Sequence, residues 1–245
     1  MMHRLCAVIP VYDHEHAVTE VVTRLVAGGL DCVLVDDGSS PACADVLTRL
    51  ARQSRIFLVR LPHNQGKGRA VLAGLREARQ LGYTHALQVD ADGQHDLSNL
   101  ETFVRASQTA PDAVICAYPQ YDASVPKGRL YSRYLTHVWV WINTLSLDIR
   151  DSMCGFRIYP LAPTLLLADQ AHIGSRMDFD TEILVRLHWR KQAMYWLPIK
   201  VRYPTDGVSH FRMWRDNVLI SRMHARLFFG MLLRAPRLLW SKWQG

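Results

Sequence analysis

An alternation of segment types narrows the fold most. Short apolar runs occur at CAVIPVY (Cys6 to Tyr12), CVLVDD (Cys32 to Asp37), IFLVRL (Ile56 to Leu61), ALQVD (Ala86 to Asp90) and AVICA (Ala113 to Ala117). Helix-patterned segments lie between them, at Ala17 to Ala27, Cys43 to Arg52, Lys67 to Leu81 and Leu97 to Gln108. The runs are β-rich and continuously apolar, as strands buried on both faces must be. Strand–helix alternation at this spacing predicts an α/β fold with a mostly parallel sheet flanked by helices. The second half is less regular. A tryptophan-rich helix is expected from about Lys127 to Leu145 and a loop around Asp151 to Tyr159. A helix near Thr181 to Arg190, short strands in MYWLPI and KVRYP, and a basic tail follow. The expected organisation is one domain over residues 1–211 with a basic amphipathic appendage over 212–245.

Composition removes several classes. The chain has 245 residues, 49% of them hydrophobic, which suffices for one large core. Charged residues make up 21%, too few beside that apolar content for a disordered chain. The five cysteines are scattered, odd in number and form no CxxC pair, so neither a disulfide framework nor a zinc site is expected. The N-terminal MMHRLCAVIPVYD holds too short an apolar stretch for a secretory signal. The longest apolar candidate for a membrane span, Tyr134 to Leu147, has fourteen residues and polar interruptions, short of the ~18–20 a span needs. A cytoplasmic protein is therefore expected. Net charge is +7, and from Thr205 onward seven Lys or Arg stand against two Asp. With the charge concentrated in the tail, nucleic acid is not an expected partner.

In an open parallel sheet, ligands bind at the carboxyl ends of the strands. The first run ends in Pro10, Tyr12 and Asp13, the second in DDGSS, the third in HNQGKGRA and the fourth in DADGQH. Alone, DDGSS reads equally well as a turn with a helix N-cap. NQGKGRA lacks the full phosphate-loop spacing. DADGQH is harder to dismiss. Asp90 and Asp92 stand two apart and point the same way on an extended segment, where their repulsion costs energy. A hard divalent cation removes that cost and takes its remaining ligands from a diphosphate and water. Asp36 suits a hydrogen bond to a sugar hydroxyl or base edge. The edge reads as a nucleoside-diphosphate site.

The series VIPVYD, VDDGSS, NQGKGRA, DADGQH and DSMCGFR resembles glycosyltransferase family 2, with the GT-A (Rossmann-like) fold. The dolichol- or polyprenyl-phosphate sugar transferase branch is the nearest in pattern. The resemblance covers Cys6 to Arg157 and, more loosely, the stretch to Phe211. It implies that Pro10, Tyr12, Asp36 and Asp37 hold the nucleoside, and that Gly66 and Lys67 lie near the nucleotide and diphosphate. Asp90, Asp92 and Gln94 resemble a metal-binding DxDxQ pattern for Mg²⁺ or Mn²⁺. Asp151 and Arg157 resemble the acceptor-side DxxSGFR, with Cys154 in place of the usual Ser. Arg202, Ser209 and His210 resemble a segment that closes over phosphate, with His210 where Lys is usual. The first motif departs as well: YDH replaces the common YNE, which leaves the base unassigned.

The implied reaction is inverting transfer of a sugar from a nucleotide-diphosphate sugar to a lipid acceptor, polyprenyl phosphate by default, at the inner face of the cell membrane. A hydroxyl acceptor needs a general base, for which Asp151 is the first candidate and Glu182 the second. A lipid phosphate is already anionic, and Asp151 would then orient it. The stretches RMDFDTEILVRL and DGVSHFR also resemble a bacterial subgroup associated with aryl polyene pigment lipids, whose acceptor would differ. A sugar-1-phosphate nucleotidyltransferase is disfavoured because Pro10-Val11-Tyr12 stands where its Gly-rich loop belongs. A nicotinamide dehydrogenase lacks its GxGxxG. A non-catalytic, membrane-tethered binding protein on the same fold stays open. In the tail, Arg215, Arg222 and Arg226 form one helical stripe, while Ile220, Met223, Leu227 and Met231 form another. Three readings stand there: a helix in the membrane interface, a helix packed on the core, or a homodimer contact.

Overall fold

A computed structural model describes residues 2–120, 127–201 and 213–243. Seven strands form one sheet: β1 (Leu5–Val11), β2 (Asp31–Asp36), β3 (Ile56–Arg60), β4 (His85–Gln88), β5 (Val114–Gln120), β6 (Arg157–Pro160) and β7 (Met194–Lys200), in the order β3-β2-β1-β4-β6-β5-β7. The helices are α1 (Val18–Ala27), α2 (Pro41–Leu50), α3 (Lys67–Gln80), α4 (Leu100–Thr109), α5 (Lys127–Thr144), α6 (Leu161–Gln170), α7 (Phe179–Trp189) and α8 (Met213–Trp243). A 3-10 turn at Leu97–Asn99 leads into α4. All pairings are parallel except the two made by β6, which runs antiparallel to β4 and β5.

Alternation within each strand splits the core into two layers. Ala7, Ile9 and Val11 of β1 and Cys32 and Leu34 of β2 pack with α1, α2 and α4. Cys6, Val8, Val33 and Val35 face the other way, with α3, α6, α7 and one side of α8. Both faces of β1 and β2 are covered, which explains runs that are apolar at every position.

One element departs from the sequence reading. The expected loop over Asp151 to Tyr159 ends in β6, whose RIYP is fully buried between β4 and β5. Because β6 is antiparallel, its start lies at the edge where β1, β2 and β4 end, with Arg157 opposite Gln88. The DSMCGFR segment is thereby brought to the strand tips. Of the two short strands expected after α7, MYWLPI lies within β7, and of KVRYP only Lys200, which ends β7, and Val201, bridged to His95, are among the described residues.

The tail is one helix of 31 residues that runs through Pro236 to Trp243. Its Met223 and Leu227 join the core layer that holds α7, and Met231 is buried as well, as the core-packing reading requires. Arg226 leaves the expected arginine stripe and turns inward to Glu182, while Arg215 and Arg222 stay exposed. The opposite side of α8 still shows Phe229, Leu232, Leu233, Leu239 and Trp240 to solvent. Among the described residues, no helix is long and apolar enough to cross a membrane.

Candidate functional site

The tips of β1, β2 and β4 and the start of α3 meet at one edge. Pro10 and Tyr12 are half-buried at the end of β1. Asp13 follows with φ of 52°, a left-handed conformation that Asp tolerates better than most residues. Its Oδ1 accepts the Ser40 N–H at 2.7 Å, tying the first tip to the second. The unusual Asp of YDH thus has a structural task.

Asp36 and Asp37 are both buried. Asp36 accepts the Ser39 N–H at 2.9 Å and pairs with Arg60 at 3.3 Å. Asp37 accepts the N–H groups of Gln65 at 2.7 Å and Gly66 at 2.9 Å, fastening the glycine loop to β2. Burial raises the Asp37 pKa, and these two N–H bonds oppose the rise. Gly66 has φ of +98°, and a Cβ there would lie 2.4 Å from Arg176 Cγ. Only glycine permits that turn beside the Ser175–Arg176 loop.

Lys67, the first residue of α3, does not point freely into the cleft. Its Nζ lies 2.7 Å from Asp90 Oδ1 and 2.9 Å from Asp180 Oδ2. Burial works against its charge, but Asp180 and Asp90 outweigh it and its pKa rises. Burial likewise opposes ionisation of Asp90, and Lys67 reverses the balance, so the Asp90 pKa falls. Among the described residues, Asp90 Oδ1 makes no hydrogen bond of good angle, so its contact with Lys67 is chiefly electrostatic. Asp180 is fixed from below: its Oδ1 accepts from Gln88 Nε2 at 2.9 Å, and its carbonyl accepts from Arg157 Nη1 at 2.6 Å. Gly155 closes the pocket, since a Cβ there would lie 2.8 Å from Lys67 Nζ and 2.9 Å from Asp90 Oδ2.

Asp92 and Gln94 are half-exposed beyond Asp90. Asp92 Oδ1 accepts the Gln94 N–H at 3.0 Å, and among the described residues its other oxygen takes no hydrogen bond. His95 is buried beside them, with Nε2 3.8 Å from Cys154 Sγ and Nδ1 without a hydrogen-bond partner among the described residues. Among the described residues, no three His, Cys, Asp or Glu gather as a ligand set. A divalent ion that keeps few protein ligands fits this edge through the open oxygen of Asp92. Asp90 fits it less directly, because Lys67 already holds that carboxylate.

The acceptor-side residues are less open than their motif suggests. Asp151 is buried: Oδ1 accepts the N–H groups of Met153 at 2.9 Å and Cys154 at 2.7 Å, and Oδ2 pairs with Arg133 at 2.5 Å. Burial alone would raise its pKa, but His137 and Arg133 hold it below the usual carboxylate range. Such a group is a poor proton acceptor at neutral pH. Its partner is Arg133 of α5. Arg157 is fully buried and spends its guanidinium on the carbonyls of Ser152 and Asp180. Glu182, in the first turn of α7, is also fully buried. It accepts from Gly174 N at 2.8 Å, Arg186 Nη2 at 2.7 Å and Arg226 Nη2 at 2.6 Å. That geometry braces α7, the Gly174 loop and α8 together and commits both carboxylate oxygens to hydrogen bonds. Arg202, Ser209 and His210 lie outside the described residues. Val201 just before them is bridged to His95, at the acid cluster.

Sequence reasoning missed Asp180. The signal was available in MDFDTE, where Asp178, Asp180 and Glu182 follow one another at intervals of two. Only the fold shows that the middle one faces Lys67.

Residues 6–168 match the family described as "Glycosyl transferase family 2". A dolichyl-phosphate beta-glucosyltransferase of Trichomonas vaginalis is 33% identical over 175 residues, a match covering 67% of this chain and 52% of that protein. The chain thus spans about half the length of that relative. A UDP-N-acetylglucosamine–dolichyl-phosphate N-acetylglucosaminyltransferase of Methanococcus voltae is 22% identical over 92% of this chain and 94% of its own length. The crystal structure of glucosyl-3-phosphoglycerate synthase from Mycobacterium tuberculosis, in complex with phosphoglyceric acid, superposes with a TM-score of 0.66 at 15% identity, covering 94% of this chain and 79% of that one. That last likeness concerns the fold, and it fits the sheet order and the flanking helices described above.

Proposed function

The chain belongs to glycosyl transferase family 2, and from that membership we propose that it transfers a sugar from a nucleotide-diphosphate sugar to a lipid phosphate, with inversion at the anomeric carbon. Polyprenyl phosphate is the acceptor this reading favours. Support for the lipid comes from the two relatives whose names specify dolichyl phosphate. Support for a phosphate rather than a hydroxyl comes from the site. A hydroxyl acceptor requires a proton acceptor, yet Asp151 and Glu182 are both buried and saturated by arginine and backbone N–H groups. A phosphate monoester is already a nucleophile and needs no base. This commitment of both carboxylates carries the phosphate reading and disfavours the hydroxyl or carboxyl of a pigment lipid.

In this account, Tyr12 and Pro10 flank the nucleoside, and Asp36 offers a carboxylate edge to it. Asp37 keeps the Gly66 turn in place so that the start of α3 approaches the diphosphate, where helix N-termini favour anions. Asp92, with Gln94 and Asp90, would hold Mg²⁺ or Mn²⁺, whose charge stabilises the departing diphosphate when it is bound. Asp151 shapes the 151–154 turn beside the donor and orients rather than abstracts. Arg202, Ser209 and His210 are assigned to the acceptor or donor phosphate on resemblance alone. The exposed apolar face of α8, with Arg215 and Arg222 nearby, suits a peripheral position on the membrane's inner face, where a lipid acceptor would arrive.

The test is transfer itself. Purified protein should move radiolabelled sugar from a UDP- or GDP-sugar to polyprenyl phosphate in a Mn²⁺-dependent manner, and not to the matching polyprenol. Equal transfer to the alcohol would refute the phosphate reading.

A further inference from the structure

Lys67 sits where a metal-binding carboxylate is expected to be free. One ammonium group bridges Asp90, a member of the acid motif, and Asp180, to which the sequence reading gave no role. The arrangement is enforced from several sides. Gly155 leaves no room for Lys67 to rise, and Gln88 and Arg157 fix Asp180 beneath it. In charge, Asp90 and Asp180 balance Lys67 and Arg157, which stands 3.9 Å from Asp180 Oδ1. The cluster is therefore already neutral. A divalent ion added at Asp90 and Asp92 would face an ammonium group on the same carboxylate, and at such distances like charges repel strongly in a partly buried site.

Resting on the metal reading above, we propose that Lys67 is a tethered cation that competes with the divalent ion for Asp90, and that Asp180 is the positioning residue that receives Lys67 when the ion takes Asp90. Lys67 needs no large movement for this, because Asp180 is already its second partner. The exchange leaves surplus positive charge at the strand tip, and a nucleoside diphosphate is the ligand that neutralises it. Ion and nucleotide are therefore expected to bind in a linked way: the ion weakly by itself, and much more tightly with the nucleotide present.

The experiment counts free Mn²⁺ by its EPR signal, in titrations of the full chain with and without UDP or GDP. Lys67→Met removes the competitor and should bind Mn²⁺ alone about tenfold more tightly or better, while the enhancement by nucleotide shrinks. Asp180→Asn has the opposite expectation. It leaves Lys67 with Asp90 as its only anionic partner, so Mn²⁺ alone should bind more weakly than in the wild type, by roughly threefold or more. The second variant keeps the test sharp if Lys67→Met does not fold. Mn²⁺ binding by the wild type that is unchanged or weaker in Lys67→Met, or unchanged in Asp180→Asn, overturns the exchange while the metal assignment survives. No Mn²⁺ binding by wild type or either variant, with or without nucleotide, overturns both.

Discussion

Replacing Glu182 with Gln separates a brace from a general base. The substitution keeps the shape and an acceptor for the Gly174 N–H, and removes only the charge that Arg186 and Arg226 share. Glu182 has no exposed surface, whereas the two arginine side chains are 15% and 38% exposed. Breaking a buried ion pair by deleting one partner costs about 3–5 kcal/mol, and water reaching the arginines reduces this to about 2–4 kcal/mol here. A chain of this size shifts about 2–4 °C in Tm per kcal/mol, so Tm should fall by about 4–16 °C. Thermal denaturation followed by circular dichroism reads the shift, and sugar transfer at a temperature where both proteins are folded reads the chemistry. The brace account expects the large Tm loss with turnover retained within a few-fold. An unchanged Tm with turnover lost by orders of magnitude would make Glu182 the base and refute the reasoning.

Two further outcomes follow from the packing and the buried histidine. Burial depresses the His224 pKa to about 4, and Asn143 Nδ2, 3.2 Å from ring Nδ1, donates only to the neutral ring. The unfolded chain takes up that proton near pH 6.5, so this contribution is complete above 6.5 and is lost as pH falls toward 4, by about 3 kcal/mol. Urea denaturation of wild type and His224→Gln should therefore converge as pH drops from 7 to 4.5, and parallel curves would contradict it. Gly155→Ala forces its methyl group against Lys67 and Asp90. It should cost about 1–3 kcal/mol in the same assay and weaken Mn²⁺-dependent nucleotide binding, and a neutral effect on both would show that the pocket is looser than described.

The sheet was legible because parallel strands buried on both faces leave continuous apolar runs that few other structures produce. β6 escaped notice because four residues, RIYP, carry almost no pattern, and its antiparallel course depends on neighbours distant in sequence. That the polar ends of the first four runs share one edge was legible too, since each run stops at Asp, Asn or Gly. The state of each carboxylate was not. Asp151 looked like a loop acid, and its commitment to Arg133 arises only when α5 folds over the turn. Glu182 looked like a charge in the first turn of a helix, and α8 covers it with Arg226. In the tail, a 3.6-residue period gave the apolar stripe of Met223, Leu227 and Met231, all now buried, but not whether core or membrane would cover it.

Isothermal titration of UDP and GDP into wild type and Asp92→Ala, each with Mn²⁺ and with EDTA, bears most directly on the assignment of the strand-tip edge to a metal-bound nucleoside diphosphate. Binding by the wild type that requires Mn²⁺ and is lost in Asp92→Ala is the predicted result. Binding of equal strength in EDTA, or undiminished in Asp92→Ala, would contradict it.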